Sequence, residues 1–225
     1  MINLIEARTV SKRFRQHKRF PGFLGALKTL VTTEYTEVTA VEDVSFAIAP
    51  GEAVGYLGPN GAGKSTILKI MTGILVPTAG EVTVLGRTPH QKRTEIARQI
   101  GVVFGQRSQL WWDLPLADSF DLHRRIYDIP EARYRDNLGR FAELLDLTSF
   151  LDRAVRQLSL GQRMRAEMVM ALLHDPTARN ISFDLSGLQR QTRIAWVPCL
   201  VPMRSWQGQV DVPMIANILP VPSIL

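Results

Sequence analysis

The chain has 225 residues, 45% hydrophobic and 21% charged, and its formal net charge is +6. That composition fits a soluble globular α/β domain with a substantial core, alone or carrying a lobe. A single cysteine, Cys199, excludes an internal disulfide framework and agrees with a reducing compartment.

Met1–Thr9 contains Glu6 and no long apolar core, so no signal peptide is expected. No run approaches the roughly 18 apolar residues that span a bilayer. The apolar stretches Ile194–Met203 and Ile215–Leu225 are short and broken by prolines. Any membrane role must therefore come through a partner. Arg8, Lys12, Arg13, Arg15, Lys18 and Arg19 concentrate positive charge near the start. Such a patch could face nucleic acid or anionic headgroups, but it lacks the regular aromatics of a base-stacking surface, so a solvated basic arm is preferred and no nucleic acid is expected.

Along the chain, Val38–Ala49 alternates as a strand and Pro50-Gly51-Glu52 turns it. Ala53–Leu57 is a short apolar strand running directly into a glycine-rich loop. A helix follows, with Ile67, Leu68, Ile70 and Met71 on one side and Gly73 at its C-terminal cap. Gly80–Gly86 reads as a strand, Lys92–Gln99 as a helix and Ile100–Phe104 as a buried strand. From Leu116 to Phe150 the pattern is helical, with Leu138, Phe141, Leu144, Leu145 and Leu147 on an apolar face. Pro130 divides that region into at least two helices. Another helix is expected over Gln162–His174, ending before Pro176. Beyond it, Thr177–Leu225 has no lysine or glutamate, carries Pro198, Pro202, Pro213, Pro220 and Pro222, and keeps no period.

Gly58, Gly63, Lys64 and Ser65 satisfy the phosphate-loop pattern G-x-x-x-x-G-K-[ST]. Glycines let successive N–H groups point at phosphate oxygens, and the following helix adds its N-terminal amides. Lys64 would reach the β- and γ-phosphates of a nucleoside triphosphate, and the Ser65 hydroxyl would hold Mg²⁺. A chance match over a chain of this length is about 1%. Nucleotide binding is the clear expectation.

About a hundred residues later, Leu158-Ser-Leu-Gly-Gln162 opens a helix that Ser159 could cap. With this second anion-binding helix start, residues 1–176 resemble the nucleotide-binding subunit of ABC transporters. Gly58, Asn60, Gly61, Ala62, Gly63, Lys64, Ser65 and Thr66 match that family's Walker A, and Ser159, Gly161 and Gln162 its signature motif. Gln106, after the buried strand, resembles the Q-loop glutamine. Tyr35 stands where the family places an adenine-stacking aromatic; Phe14 is its rival, and Tyr35 is preferred.

The resemblance implies an α/β P-loop fold of the ABC type, with a central mixed sheet, flanking helices and a helical lobe. It implies ATP and Mg²⁺ as cofactors, with Ser65 and Gln106 at the metal and Gln106 at the attacking water. It also implies a head-to-tail pair in which Ser159 and Gly161 face the partner's Walker A. A membrane-spanning transporter subunit would receive the lobe, on the cytoplasmic, inner face of the plasma membrane. The wording of Gln106–Pro115 and the basic insertion before Tyr35 are similar to bacterial efflux ATPases, hence export. Trp111 and Trp112 fit either contact with that subunit or packing under the lobe.

The expected divisions are 1–106 for the first part of the nucleotide-binding core, 107–165 for the lobe, 166–176 for the returning helix and 177–225 for an atypical tail. The family pattern then breaks. After His174-Asp175-Pro176 a buried strand should end in the Walker B Asp-Glu near position 182, but Ser182 and Phe183 stand there. Asp184 follows in a shifted register beside Leu185, and no histidine follows His174. Thr177–Ser182 is too polar for a central strand, so the sheet should be incomplete, leaving an edge beside the phosphate-loop strand. A replaced or frameshifted end to an otherwise ordinary cassette explains the abrupt change.

Overall fold

The computed structural model describes residues 3–17, 35–58, 61–103, 108–176, 178–180, 193–198 and 214–215. Strand β1 (Ile5–His17) pairs antiparallel with β2 (Tyr35–Ile48) and with β4 (Ala79–Val84), so it lies between them. The basic run read as a solvated arm is therefore, through His17, the middle strand of a sheet. Facing reconciles the two: Ile5, Ala7 and Val10 are buried while Arg8, Arg13 and Arg15 remain exposed, the alternation being reset by register shifts between Ala7 and Arg13.

Strand β3 (Ala53–Gly58) leads to helix α1 (Lys64–Met71), whose Ile67, Leu68, Ile70 and Met71 are buried as the spacing predicts. Gly73 follows the cap residue Thr72 with φ of 75° and donates its N–H to the Ile70 carbonyl. That left-handed turn ends the helix where the sequence placed the glycine. Ile5, Val44, Ile48, Val84, Ile67, Ile70 and Ile96 meet in one core beneath the sheet. Each such side chain contributes about 1.5–3 kcal/mol by leaving water.

Helix α2 (Arg93–Ala97) and strand β5 (Ile100–Val102) complete this part; Phe104 lies outside the described residues. A second core joins α3 (Leu116–Ile126), α4 (Glu131–Leu144) and α5 (Leu160–Leu172). Pro130 occupies the cap position of α4, as its place between two helices predicts. Phe141 and Leu147 are buried and Leu138 and Leu145 partly so, but Leu144, in the last turn, projects into solvent. The side chain of Asn137 donates to the Leu173 carbonyl at 3.0 Å, fastening α4 to the end of α5.

After α5 the chain departs from expectation. Ala178–Asn180 forms β6, parallel to β5, despite its polar sequence. Strand β3 is not left with a bare edge. It pairs antiparallel with β7 (Arg193–Pro198) and parallel with β8 (Met214–Ile215). Tail backbone thus satisfies hydrogen-bonding groups of β3 that would otherwise face solvent. The three sheets β2-β1-β4, β7-β3-β8 and β5-β6 remain separate, so the central sheet of this α/β fold is incomplete. Ser182, Phe183, Asp184 and Leu185 lie outside the described residues, and among those described no helix is long and apolar enough to cross a membrane.

Candidate functional site

The turn between β3 and α1 is shaped by glycines in the left-handed region, Gly61 at φ 88° and Gly63 at φ 76°. Gly63 caps α1 with its backbone alone: its carbonyl accepts from the N–H groups of Thr66 (2.9 Å) and Ile67 (3.0 Å). Among the described residues no side chain caps the helix, and its first turn holds no acid. The result is a cavity of about 210 Å³ lined by Ala40, Gly61, Ala62, Gly63, Lys64, Ser65 and Thr66. Lys64 is 6% exposed, whereas Ser65 is open to solvent. A glycine-shaped cradle lined by a buried lysine and an exposed hydroxyl fits a polyphosphate with a hydrated divalent cation. Gly58 ends β3 beside Arg193; Asn60 lies outside the described residues.

The signature helix begins at Leu160, two residues before the expected Gln162, and Ser159 caps it as expected. Ser159 Oγ accepts from the Gln162 N–H (3.2 Å), and the Gln162 side chain accepts from the Ser159 N–H (2.9 Å), a complete capping box. Ser159 and Gly161 are exposed. None of Ser159, Gly161 or Gln162 lines the phosphate-loop cavity, so the chain does not bring its two anion-binding helix starts together.

Gln106 lies outside the described residues, but the segment after it is well held. Buried Glu167 on α5 accepts from the Gln109 N–H at 3.0 Å and from the Ser108 hydroxyl. Burial raises the Glu167 pKa, opposed by those donors. Sequence reasoning missed this carboxylate, since a lone acid in an amphipathic helix ordinarily reads as a solvated position. Trp111 and Trp112 are half exposed, and the Arg163 guanidinium stacks over Trp112 at 4.4 Å.

A second unforeseen group is aromatic. His123 stacks on Tyr127 (4.2 Å between centroids), and Tyr127 lies 4.5 Å from His174, whose Nε2 is 3.1 Å from the Ile100 carbonyl. Burial, then the proximity of His174, lowers the His123 pKa to about 3. Burial also lowers His174, with Ile100 and Asp175 acting the other way and Arg133 reinforcing the drop. The unfolded chain, with ordinary histidines near 6.5, takes up protons first as pH falls. Stability is therefore fully present above that value and lost between about 6.5 and 3. Moving from pH 7 to 5 should cost about 2 kcal/mol through His123 alone. Urea unfolding at both pH values will show the loss, and His123→Phe should flatten the slope; an unchanged slope contradicts this account.

Comparison with known proteins agrees with this geometry. Residues 41–178 match the family described as ABC transporter. The chain is 31% identical over 163 residues to a probable multidrug ABC transporter ATP-binding protein, YbhF of Escherichia coli K12, covering 72% of this chain and 28% of the relative. It is 35% identical over 164 residues to the sn-glycerol-3-phosphate import ATP-binding protein UgpC of Cereibacter sphaeroides, covering 73% and 46%. The chain thus spans less than half the length of either relative. Among solved structures, an ATP-binding subunit of an ABC transporter superposes with a TM-score of 0.62 at 25% identity, covering 79% of this chain and 65% of that one. The dimeric ATP-binding cassette MJ0796, bound to ADP and Pi, gives 0.61 at 23% identity, covering 79% and 72%.

Proposed function

The chain belongs to the ABC transporter family of ATP-binding proteins, and from that we propose that it is a transporter's ATP-binding subunit that takes up Mg-ATP through Gly58–Thr66. The observation that carries this is the glycine cradle itself, lined by buried Lys64 at the start of α1. Lys64 would neutralise the terminal phosphates, and Ser65 and Gln106 would hold Mg²⁺, which supplies charge neutralisation when bound. Exposed Ser159 and Gly161, remote from their own chain's cavity, suit a head-to-tail pair in which each chain completes the other's site. Residues 107–165 would present Trp111 and Trp112 to a membrane-spanning subunit at the cytoplasmic face, serving export. Residues 1–106 and 166–176 would form the nucleotide-binding core, and 177–225 a replaced end.

Titration of a fluorescent ATP analogue, with and without Mg²⁺ and with ATP as competitor, tests the central claim. Saturable, competed binding supports it, and its absence removes it. Co-purification with a membrane subunit rather than nucleic acid tests the placement. Reading the other two frames beyond codon 176 tests the replaced end: an apolar strand ending in Asp-Glu-Pro supports a frameshift.

The two candidate base-stacking aromatics separate on the β1–β2 hairpin. Phe14 pairs with Val38, two residues from Ala40 in the cavity wall, while Tyr35 pairs with His17 at the far end. Tyr35 also belongs to the opposite alternation and lies under Arg15 at 4.7 Å. This register supports Phe14 over the initially preferred Tyr35. Phe14→Ala should weaken ATP binding by about tenfold, within the 1–3 kcal/mol typical of base stacking. Tyr35→Ala should change it little; the reverse ranking in the same titration restores Tyr35.

A further inference from the structure

Glu167 lies mid-way along α5 and is 3% exposed. Its Oε1 accepts from the Gln109 N–H and the Ser108 hydroxyl, and its Oε2 from the same Gln109 N–H at 3.3 Å. The Ser108 hydroxyl also accepts from the Leu110 N–H at 3.1 Å, and the Gln109 side chain donates to the Val102 carbonyl on β5. One turn earlier on α5, Arg163 covers Trp112. The chain just before the Leu158–Gln162 motif joins in: Val155 N–H donates to Leu114 and Arg156 N–H to Trp112. Residues 108–114 are thus tied to β5 and Glu167 at one end, and through Trp112 and Leu114 to Arg163 and the chain just before the signature helix. They begin two positions after Gln106.

A leucine or methionine would fill the space between α5 and this segment without desolvating a charge. A carboxylate there is tolerable because it has several donors, and those donors belong to one segment. The link is therefore directional and specific, not simply filled volume. We propose that Glu167 is a positioning residue that couples the segment following Gln106 to the signature helix, so that nucleotide binding shifts Ser159 and Gly161. The proposal rests on Gly58–Thr66 being a nucleotide site and adds how that site communicates with the exposed motif.

Hydrogen exchange of the full chain with and without Mg-ATP separates the two claims. Peptides covering 63–71 report binding, and peptides covering 160–167 report transmission. In wild type both should respond, the second by about fivefold, the low end of ordinary site-to-site coupling. Glu167→Ala should keep the first response and lose the second. Glu167→Gln should retain both, because the amide oxygen still accepts from Ser108 and Gln109. Ser108→Ala removes a single donor from an exposed position and should weaken the second response alone; it carries the test if Glu167→Ala fails to fold. Persistence of the 160–167 response in Glu167→Ala, or an undiminished response in Ser108→Ala if that variant carries the test, overturns the proposal. So does a wild type in which only 63–71 responds. Silence at 63–71 in wild type overturns the nucleotide reading first, and the coupling falls with it.

Discussion

Gly63→Ala is expected to lower stability by about 3 kcal/mol and to weaken ATP binding roughly a hundredfold, about 2.7 kcal/mol. Two effects combine. A side chain at φ 76° carries the left-handed penalty of about 1–2 kcal/mol. The added methyl would also sit 2.7 Å from Val41 Cγ2 and closer still to the Ala40 carbonyl oxygen. Ala40 is the unpaired bulge residue between Arg13↔Thr39 and Lys12↔Val41, so its carbonyl can retreat only by shifting a strand that β1 holds on both flanks. The loop must move instead, turning its amides away from the phosphates. Gly61→Ala separates the two causes. Gly61 has φ 88° but nothing within 4 Å of an added methyl, so it should lose only the conformational share. Urea unfolding of both variants, with the ATP-analogue titration, will show whether Gly63 is the costlier site; equal losses would mean the contact with β2 is unimportant.

What could be read in advance was local. The phosphate loop, the Gly73 helix stop, the Ser159 helix cap and the Pro130 break all depend on residues within one or two turns of each other. Their geometry followed from spacing alone. Glu167 was opaque because its burial comes from Ser108 and Gln109, some 58 residues away in sequence. His123 and His174 likewise acquire their meaning only when α3 and the end of α5 meet around Tyr127. The early basic run misled for a different reason. The density of charge from Arg8 to Arg19 dominated the reading, although Ile5, Ala7 and Val10 at its start face the core. The tail strands were hidden by composition: β7 and β8 gain their pairing from β3, a long-range partner that no local period announces.

The other large effect concerns turnover. Phosphate release by the wild-type chain is expected to stay at background even with its nucleotide site saturated. Hydrolysis needs a carboxylate to orient Mg²⁺ and a second group to polarise the attacking water. Counting on from His174-Asp175-Pro176, the family resemblance leads one to expect those acids near position 182, where the sequence has Ser182 and Phe183. A hydroxyl is a weak substitute for the first, and a phenyl ring offers nothing for the second. General-base assistance alone accounts for about 10²–10⁴ in rate, so its loss from a typical enzyme turnover near 10 s⁻¹ leaves at most about 0.1 s⁻¹. A continuous phosphate assay at saturating Mg-ATP, with Lys64→Ala as the background, decides the matter. Binding without Lys64-dependent release would make the chain an ATP-binding module. Release near 10 s⁻¹ that vanishes in Lys64→Ala would refute that conclusion and direct attention to Asp184. Asp184→Asn would then separate a shifted carboxylate in this chain from a contaminating ATPase, since only the former loses activity with the variant.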